Sequence, residues 1–282
     1  MSRNACLVPL LAVVMLTAAC KPSAPPQADA PVAPAQPATT AAASSSATVA
    51  DVELPEALKT GAGFPEARAA LAAAGWLPLQ DRTDCMGKLG GRSGLCYSTP
   101  ELASCDDAGC TLEFANAEVM QRLSLMVGAP AGSDPDETPA FGAVKSWALS
   151  AIGATDPGAC PAADFDGFLK IFAADPLVRA RYTAPLVRVA QTIDRGDAGD
   201  QSQQTYVEAG NYTGFALSHR DGAWYPSVDA DAPRPAPLDV RISAEEGGAY
   251  FVSVPGNVEG VSYRFERHSD CWRLTADPDS AI

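Results

Sequence analysis

The chain has 282 residues, a formal charge of −14 and eight cysteines. So acidic a balance repels a phosphate backbone, which excludes nucleic acid as a partner, and it argues against docking on anionic lipid through a basic patch. The length suits one or two domains. The opening stretch, Met1–Cys20, begins with the cation Arg3 and continues with an apolar run, Leu7–Leu16. That run of about ten residues fits the core of an export signal and is too short to span a bilayer. Small residues Thr17, Ala18 and Ala19 lead to Cys20.

Leu16-Thr17-Ala18-Ala19-Cys20 resembles a bacterial lipobox, with Thr17 where leucine is commonest. The resemblance implies cleavage of residues 1–20 as a signal peptide, lipidation of Cys20 and anchoring in a membrane. Lys21, rather than aspartate, after the cysteine implies sorting to the outer membrane with the chain facing the periplasm. Each buried methylene contributes about 0.8 kcal/mol, so two or three acyl chains hold such a protein permanently. Residues 21–50 are almost all Ala, Pro, Ser, Thr and Gln, without aromatic residues or periodicity. They read as a disordered tether that reaches on the order of 90 Å if extended as polyproline II.

Residues 51–155 read as a small disulfide-stapled α+β domain. Leu54–Leu58 is a short helix or turn. Pro65–Ala74 is a helix: Pro65 suits the first turn, Glu66 the positive end and Gly75 the left-handed stop. Phe64, Ala67, Leu71 and Ala74 share one face. Trp76–Leu79 leads away as a strand. The run Gly63–Pro78 resembles a motif of small exported bacterial domains, which implies a fold and no activity. Asp81–Gly94 is polar and glycine-rich, hence loop. Strands follow at Cys110–Phe114, Arg122–Val127 and Ala143–Leu149, with Asp106–Gly109 as the turn ahead of the first.

Cys6 leaves with the leader and Cys20 is taken by lipid, so Cys85, Cys96, Cys105, Cys110, Cys160 and Cys271 remain. An even set in an exported chain reads as disulfides, with fifteen possible pairings. Cys105 and Cys110 can close across their hairpin, which leaves Cys85 with Cys96 as the simplest local pair. A zinc site is the rival. The spacing has no C-x-x-C knuckle and no nearby histidine, so no metal is expected.

Residues 156–282 form a second unit. Phe165, Phe168, Leu169 and Phe172 recur at i, i+3, i+4 and i+7, an amphipathic helix. Pro176 opens a second helix to Tyr182. The period then becomes two: strands at Leu186–Ala190, Phe215–His219, Ala223–Tyr225, Asp239–Ser243, Ala249–Val254, Val261–Arg267 and Cys271–Thr275. Gly196–Gln204 reads as a polar loop. Arg220-Asp221-Gly222 and Ser269-Asp270 read as hairpin turns.

This unit resembles the nuclear-transport-factor-2-like superfamily. Within it, Phe168, Phe172, Arg181 and Pro185-Leu186, with Arg264–Arg267 and Cys271–Leu274, resemble an uncharacterised bacterial family. The resemblance implies an α+β cone, helices packed on a bent antiparallel sheet, over Phe165–Asp279. Cys160 and Cys271, near the start and end of the unit, are expected to pair. Such cones often hold a pocket, whose candidate walls are Phe168, Phe172, Tyr250, Tyr263, Phe265 and Trp272; the same six rings equally suit a filled core.

No G-x-S-x-G, H-E-x-x-H or phosphate-loop pattern occurs, and no cofactor is implied. His219 and His268 lie beside turns without a catalytic partner at recognisable spacing, as solvated histidines do. The sequence thus points to a lipid-anchored envelope protein of binding or maintenance role, non-enzymatic, with an envelope protein or a small apolar ligand as partner. The alternative is an enzyme or small-ligand binder using the cone pocket.

Overall fold

In the computed structural model the described residues are 54–55, 58–81, 95–130, 140–154, 156–193, 201–227, 235–256 and 261–278. All belong to one compact unit, Ala47–Ile282. The leader with Cys20, the tether 21–50 and Cys85 lie outside the described residues.

Helix α1, Phe64–Ala73, forms where the caps require it. Gly63 is extended, Pro65 sits in the first turn, and Phe64, Ala67 and Leu71 are buried. Gly75 turns left-handed at φ 79°, and the Trp76 N–H closes onto the Leu71 carbonyl at 3.0 Å. Ala74 differs from the expected inward face: it lies past the last turn and is exposed. Strand β1 is Leu77–Pro78, and a short helix α2, Leu95–Ser98, precedes β2, Leu102–Asp106.

Strands β3 (Gly109–Asn116), β4 (Gln121–Val127) and β5 (Val144–Ala151) complete a five-stranded antiparallel sheet. β1 and β2 both pair with β3. In β4 burial alternates strictly, with Gln121, Leu123, Leu125 and Val127 inward. Leu123, Leu125 and Val127 pack with Phe64, Leu71, Trp76, Leu102, Leu112 and Phe114 into one core. The Cys105–Cys110 disulfide crosses the β2–β3 hairpin with Cα atoms 4.0 Å apart. Asp106 tightens that turn by accepting from the Ala108 and Gly109 N–H groups at 2.8 and 3.1 Å. Cys96 is also disulfide-bonded, with its other half outside the described residues.

Helix α3, Phe165–Ala174, is capped by Asp164, which accepts from the Gly167 N–H at 2.8 Å. Asp175 ends it and, accepting from Leu177 N–H at 2.8 Å, starts α4, Pro176–Tyr182. Strands β6 (Thr183–Ile193), β7 (Gln201–Glu208), β10 (Arg241–Ala244), β11 (Tyr250–Ser253), β12 (Ser262–His268) and β13 (Cys271–Asp277) form a second sheet, ordered β10-β11-β12-β13-β6-β7. Only β13 with β6 is parallel. A separate hairpin, β8 (Leu217–Arg220) and β9 (Ala223–Pro226), turns at Asp221-Gly222 with φ 52° and 78°. The Cys160–Cys271 disulfide ties the approach to α3 to the start of β13, with Cα atoms 5.1 Å apart.

β7 departs from the sequence reading, which placed a loop over Gly196–Gln204. Gln201–Gln204 are polar because β7 is an edge strand whose first half is largely exposed; Thr205 and Val207 then turn inward.

The two sheets meet along a seam. Leu79, Ala115 and Leu186 are buried together against Ala117, Ile152 and Tyr206. The chain leaving β1 crosses the seam: the Leu79 N–H donates to Glu113 in one sheet at 2.9 Å, and the Gln80 N–H to Tyr206 in the other at 2.8 Å. Arg122 pairs with Glu208 across it. Arg68 of α1 holds the buried Glu101 at 2.6 Å and donates to Gln203 of β7 at 3.2 Å. Polar ties of this kind fix register, whereas the small apolar contact supplies area.

Candidate functional site

The structure brings the six candidate pocket residues together on the helix-covered face of the second sheet. Phe168, Phe172 and Phe265 are fully buried; Tyr263 and Trp272 are nearly so. Their rings interlock with one another and with Phe165 and Phe215. Phe165 stacks on Tyr250 at 4.0 Å, Phe172 meets Phe265 edge-on at 5.2 Å, and Phe215 lies 4.6 Å from Tyr263. Trp272 sits 5.6 Å from Phe168 and donates its indole N–H to the Gly248 carbonyl at 3.2 Å. Offset and edge-on contacts at these distances are how aromatic rings fill a core.

Beside this layer lies a polar cluster that the sequence reading missed. Asp277 is buried on β13, and the Tyr212 hydroxyl donates to its Oδ2 at 2.7 Å. The Tyr263 hydroxyl donates to the Gly214 carbonyl at 3.0 Å and accepts from the Ala216 N–H at 2.7 Å. Burial, then the charge of Asp277, pushes the Tyr212 phenol far above its ordinary pKa. Burial raises Tyr263 likewise, and the Ala216 bond offsets part of that. Gly214 is required by close approach, because a Cβ there would lie 2.6 Å from Asp277 Oδ2. Asp277 escaped notice because the expected strand stopped at Thr275, whereas β13 runs two residues further. An adjacent cavity of about 290 Å³ is walled by Arg179, Thr183, Tyr212, Thr213 and Phe215, without Asp277.

The opposite face of the same sheet is different in kind. Where it turns towards the β3–β4 hairpin, a cleft of about 390 Å³ opens. Arg188, Arg267, His268 and Arg273 line it, with Tyr206, Thr275 and one carboxylate, Glu266. Ala117, Met120, Ala184, Pro185 and Leu186 form its apolar part. Register explains the gathering. Glu266 lies directly across from Arg273, and the parallel pairing of β13 with β6 sets Arg188 opposite Ala276. The alternation that sends Tyr263 and Phe265 inward sends Arg264 and Glu266 outward, as expected from sequence. The neighbourhood of β6 and β13 was not expected, and it alone brings Arg188 to this face.

Arg273 is buried, at 6% exposure, and desolvation holds its guanidinium below the ordinary pKa while Asp156 offsets part of the loss. Arg188, Arg267 and His268 are exposed. Arg267 only borders the cleft: it lies across from Trp272 on the Tyr263 and Phe265 side of β12, with its guanidinium over the Trp272 ring at 5.8 Å and its Nε–H donating to the Ser269 carbonyl at 3.4 Å. Glu266 leans on Arg264, 3.5 Å away, which also binds Glu245 at 3.1 Å. Burial raises the Tyr206 phenol and the nearby Arg188 lowers it, burial prevailing. The arrangement can hold negative charge; it offers no metal set. Among the described residues no group of three or more His, Cys, Asp or Glu could hold a metal ion. His219 lies elsewhere, half-buried edge-on to Trp224 at 4.8 Å.

No protein-family model matches the chain, and no curated protein matches it. Two chains of known structure do. One is the crystal structure of an NTF2-like protein from Bacteroides fragilis NCTC 9343, with a TM-score of 0.30 and 13% identity. The match covers 60% of this chain and 64% of that protein, so the chain spans less than two thirds of its length.

Proposed function

We propose that the protein is a lipid-anchored envelope protein, facing the periplasm, that binds a ligand or partner and does not catalyse a reaction. The cleft carries the binding half of this reading: Arg188, Arg273 and His268 line it with one carboxylate, Glu266, in a chain whose acidic side chains outnumber its lysines and arginines 34 to 20. An acidic protein has no need of such a concentration for solubility. The anchor half rests on Leu16–Cys20 and on the Ala/Pro-rich residues 21–50 as a spacer. We read the six-stranded sheet with α3 and α4 as the cone of the nuclear-transport-factor-2-like type. The bulges at Arg264/Phe265 and Leu274/Ala276 supply places for the sheet to bend. In that reading the cone's inner face serves as core, and binding falls to the seam.

The test is metabolic labelling of the full chain with radioactive palmitate, followed by membrane fractionation. The wild type is expected to take label and to sediment with the outer membrane. Cys20→Ala is expected to take none and to leave the membrane fraction. Label retained by Cys20→Ala would refute the anchor.

A further inference from the structure

We propose that β5, the outer strand of the five-stranded sheet, pairs antiparallel with β5 of a second copy of this chain about a twofold axis at Leu149. The two copies then share one continuous sheet. This interface requires neither the lipid nor a ligand.

The first argument is the state of the strand. Trp147, Leu149 and Ala151 lie across from Leu125, Leu123 and Gln121 of β4, on the core side of the sheet. Trp147 is nevertheless 46% exposed, and Leu149 is only half-buried. On the other side Ser146, Ala148 and Ser150 are exposed as well. The backbone groups alternate. The Ile152 N–H donates to the Met120 carbonyl, so Ser150, Ala148 and Ser146 also turn towards β4. The N–H and C=O groups of Trp147, Leu149 and Ala151 therefore point outwards, and among the described residues nothing takes them. Such an edge is a template for another strand.

The other edges are blunted. β10 carries the exposed Arg241, and β7 is met by the Gln80 N–H at Tyr206 and by Arg68 at Gln203. Ser146–Ile152 has no charge, proline or glycine to refuse a neighbour.

The second argument is that the strand is complementary to itself. Turned about Leu149, Trp147 falls opposite Ala151 of the second copy, a large side chain against a small one, and Leu149 meets its twin. Ala148 falls opposite Ser150 on the other face. No charge meets its like. All three outward residues enter hydrogen-bonded pairs. An axis at Ala148 would instead set Ala151 against Lys145, whose carbonyl already accepts from the Thr60 hydroxyl at 3.3 Å. Gly61 and Ala62 likewise occupy the outer side of Val144, so the free edge begins beyond them. Antiparallel pairing uses the same edge in both copies and closes at two. A chain of charge −14 repels its own copy, and an uncharged edge is where two such surfaces approach with least repulsion.

Oxidative cross-linking of the full chain tests this. In Leu149→Cys the two new sulfurs face each other across the axis, with Cα atoms about 5.5 Å apart, within the reach of a disulfide. In Ser146→Cys, three residues from the axis, the twins lie on the order of 20 Å apart. Leu149→Cys is expected to form the doubled-mass band about tenfold faster than Ser146→Cys, although Ser146 is the more exposed. Ala148→Lys/Ser150→Lys, added to Leu149→Cys, sets like charges directly across and is expected to abolish the band with circular dichroism unchanged. Those lysines make the chain less acidic, so overall repulsion cannot explain the loss. Sedimentation of the wild type is expected to show a dimer whose fraction rises with salt, because salt screens the repulsion of like-charged copies. A wild type monomeric at every salt concentration, equal cross-linking of the two cysteine variants, or a band that survives the lysines would each overturn the proposal.

Discussion

The Cys160–Cys271 and Cys105–Cys110 disulfides close loops of very different length, so their removal should separate cleanly. Cys160 and Cys271 are 111 residues apart; Cys105 and Cys110 are five apart. In the chain-entropy account a cross-link acts on the unfolded chain, growing with the logarithm of the loop. The long link is then worth about 5 kcal/mol and the short one about 2 kcal/mol. The short loop is also held by Asp106 and by the ladder of β2 with β3, which remain when the sulfurs are gone. Replacing each pair with alanines and following urea unfolding by fluorescence measures the difference. With a slope of about 2.5 kcal/mol per molar, the long-link variant should lose about 2 M in midpoint and the short-link variant less than 1 M. Equal shifts, or the larger shift on Cys105/Cys110, would refute the argument that loop length decides.

Two further outcomes follow from the second core. Phe168 is fully buried and touches Phe165, Phe172, Tyr182, Phe265 and Trp272, so Phe168→Ala should cost about 3–5 kcal/mol in urea unfolding; a loss below about 1 kcal/mol would mean that those rings enclose space after all. Tyr212 and Tyr263 have phenols raised in the fold above their unfolded value near 10. The folded state therefore holds these protons more tightly. The stability they contribute is complete below about pH 10 and falls as pH rises beyond it, by about 1 kcal/mol per pH unit for each phenol. Unfolding midpoints from pH 8 to 12 should fall less steeply in Tyr212→Phe than in wild type, and parallel curves would count against the burial of that phenol.

Most elements were legible because local chemistry dictates them. Pro65 with Gly75, and Pro176, punctuate helices whatever surrounds them, and the i, i+3, i+4, i+7 spacing of Phe165, Phe168, Leu169 and Phe172 marks another. The alternation of Tyr263 and Phe265 with Arg264 and Glu266 marks a half-buried strand. β7 was not legible, because Gln201–Gln204 carry no apolar alternation and are strand only by pairing with β6. Asp277 was hidden behind the residue at which the apolar pattern stops. The cleft was less legible still. Arg188, Glu266 and Arg273 are each ordinary outward residues of separate strands, and only the parallel placement of β13 beside β6 joins them. Such adjacency is a property of topology, which no local pattern encodes.

That placement also sets an order of assembly. β13 is the last strand among the described residues, yet it lies between β12 and β6, near the middle of its sheet. Until it arrives, β6 with β7 and β10–β12 are two ribbons that share no hydrogen bonds, and each exposes an unpaired inner edge. As the chain emerges, the second sheet must therefore wait for Cys271–Asp277, and the cleft with it. A stop codon just ahead of Cys271 would split the sheet in two, leaving Arg188 and Glu266 on separate pieces. Closure of the sheet, rather than growth of the core, becomes the slow and aggregation-exposed step.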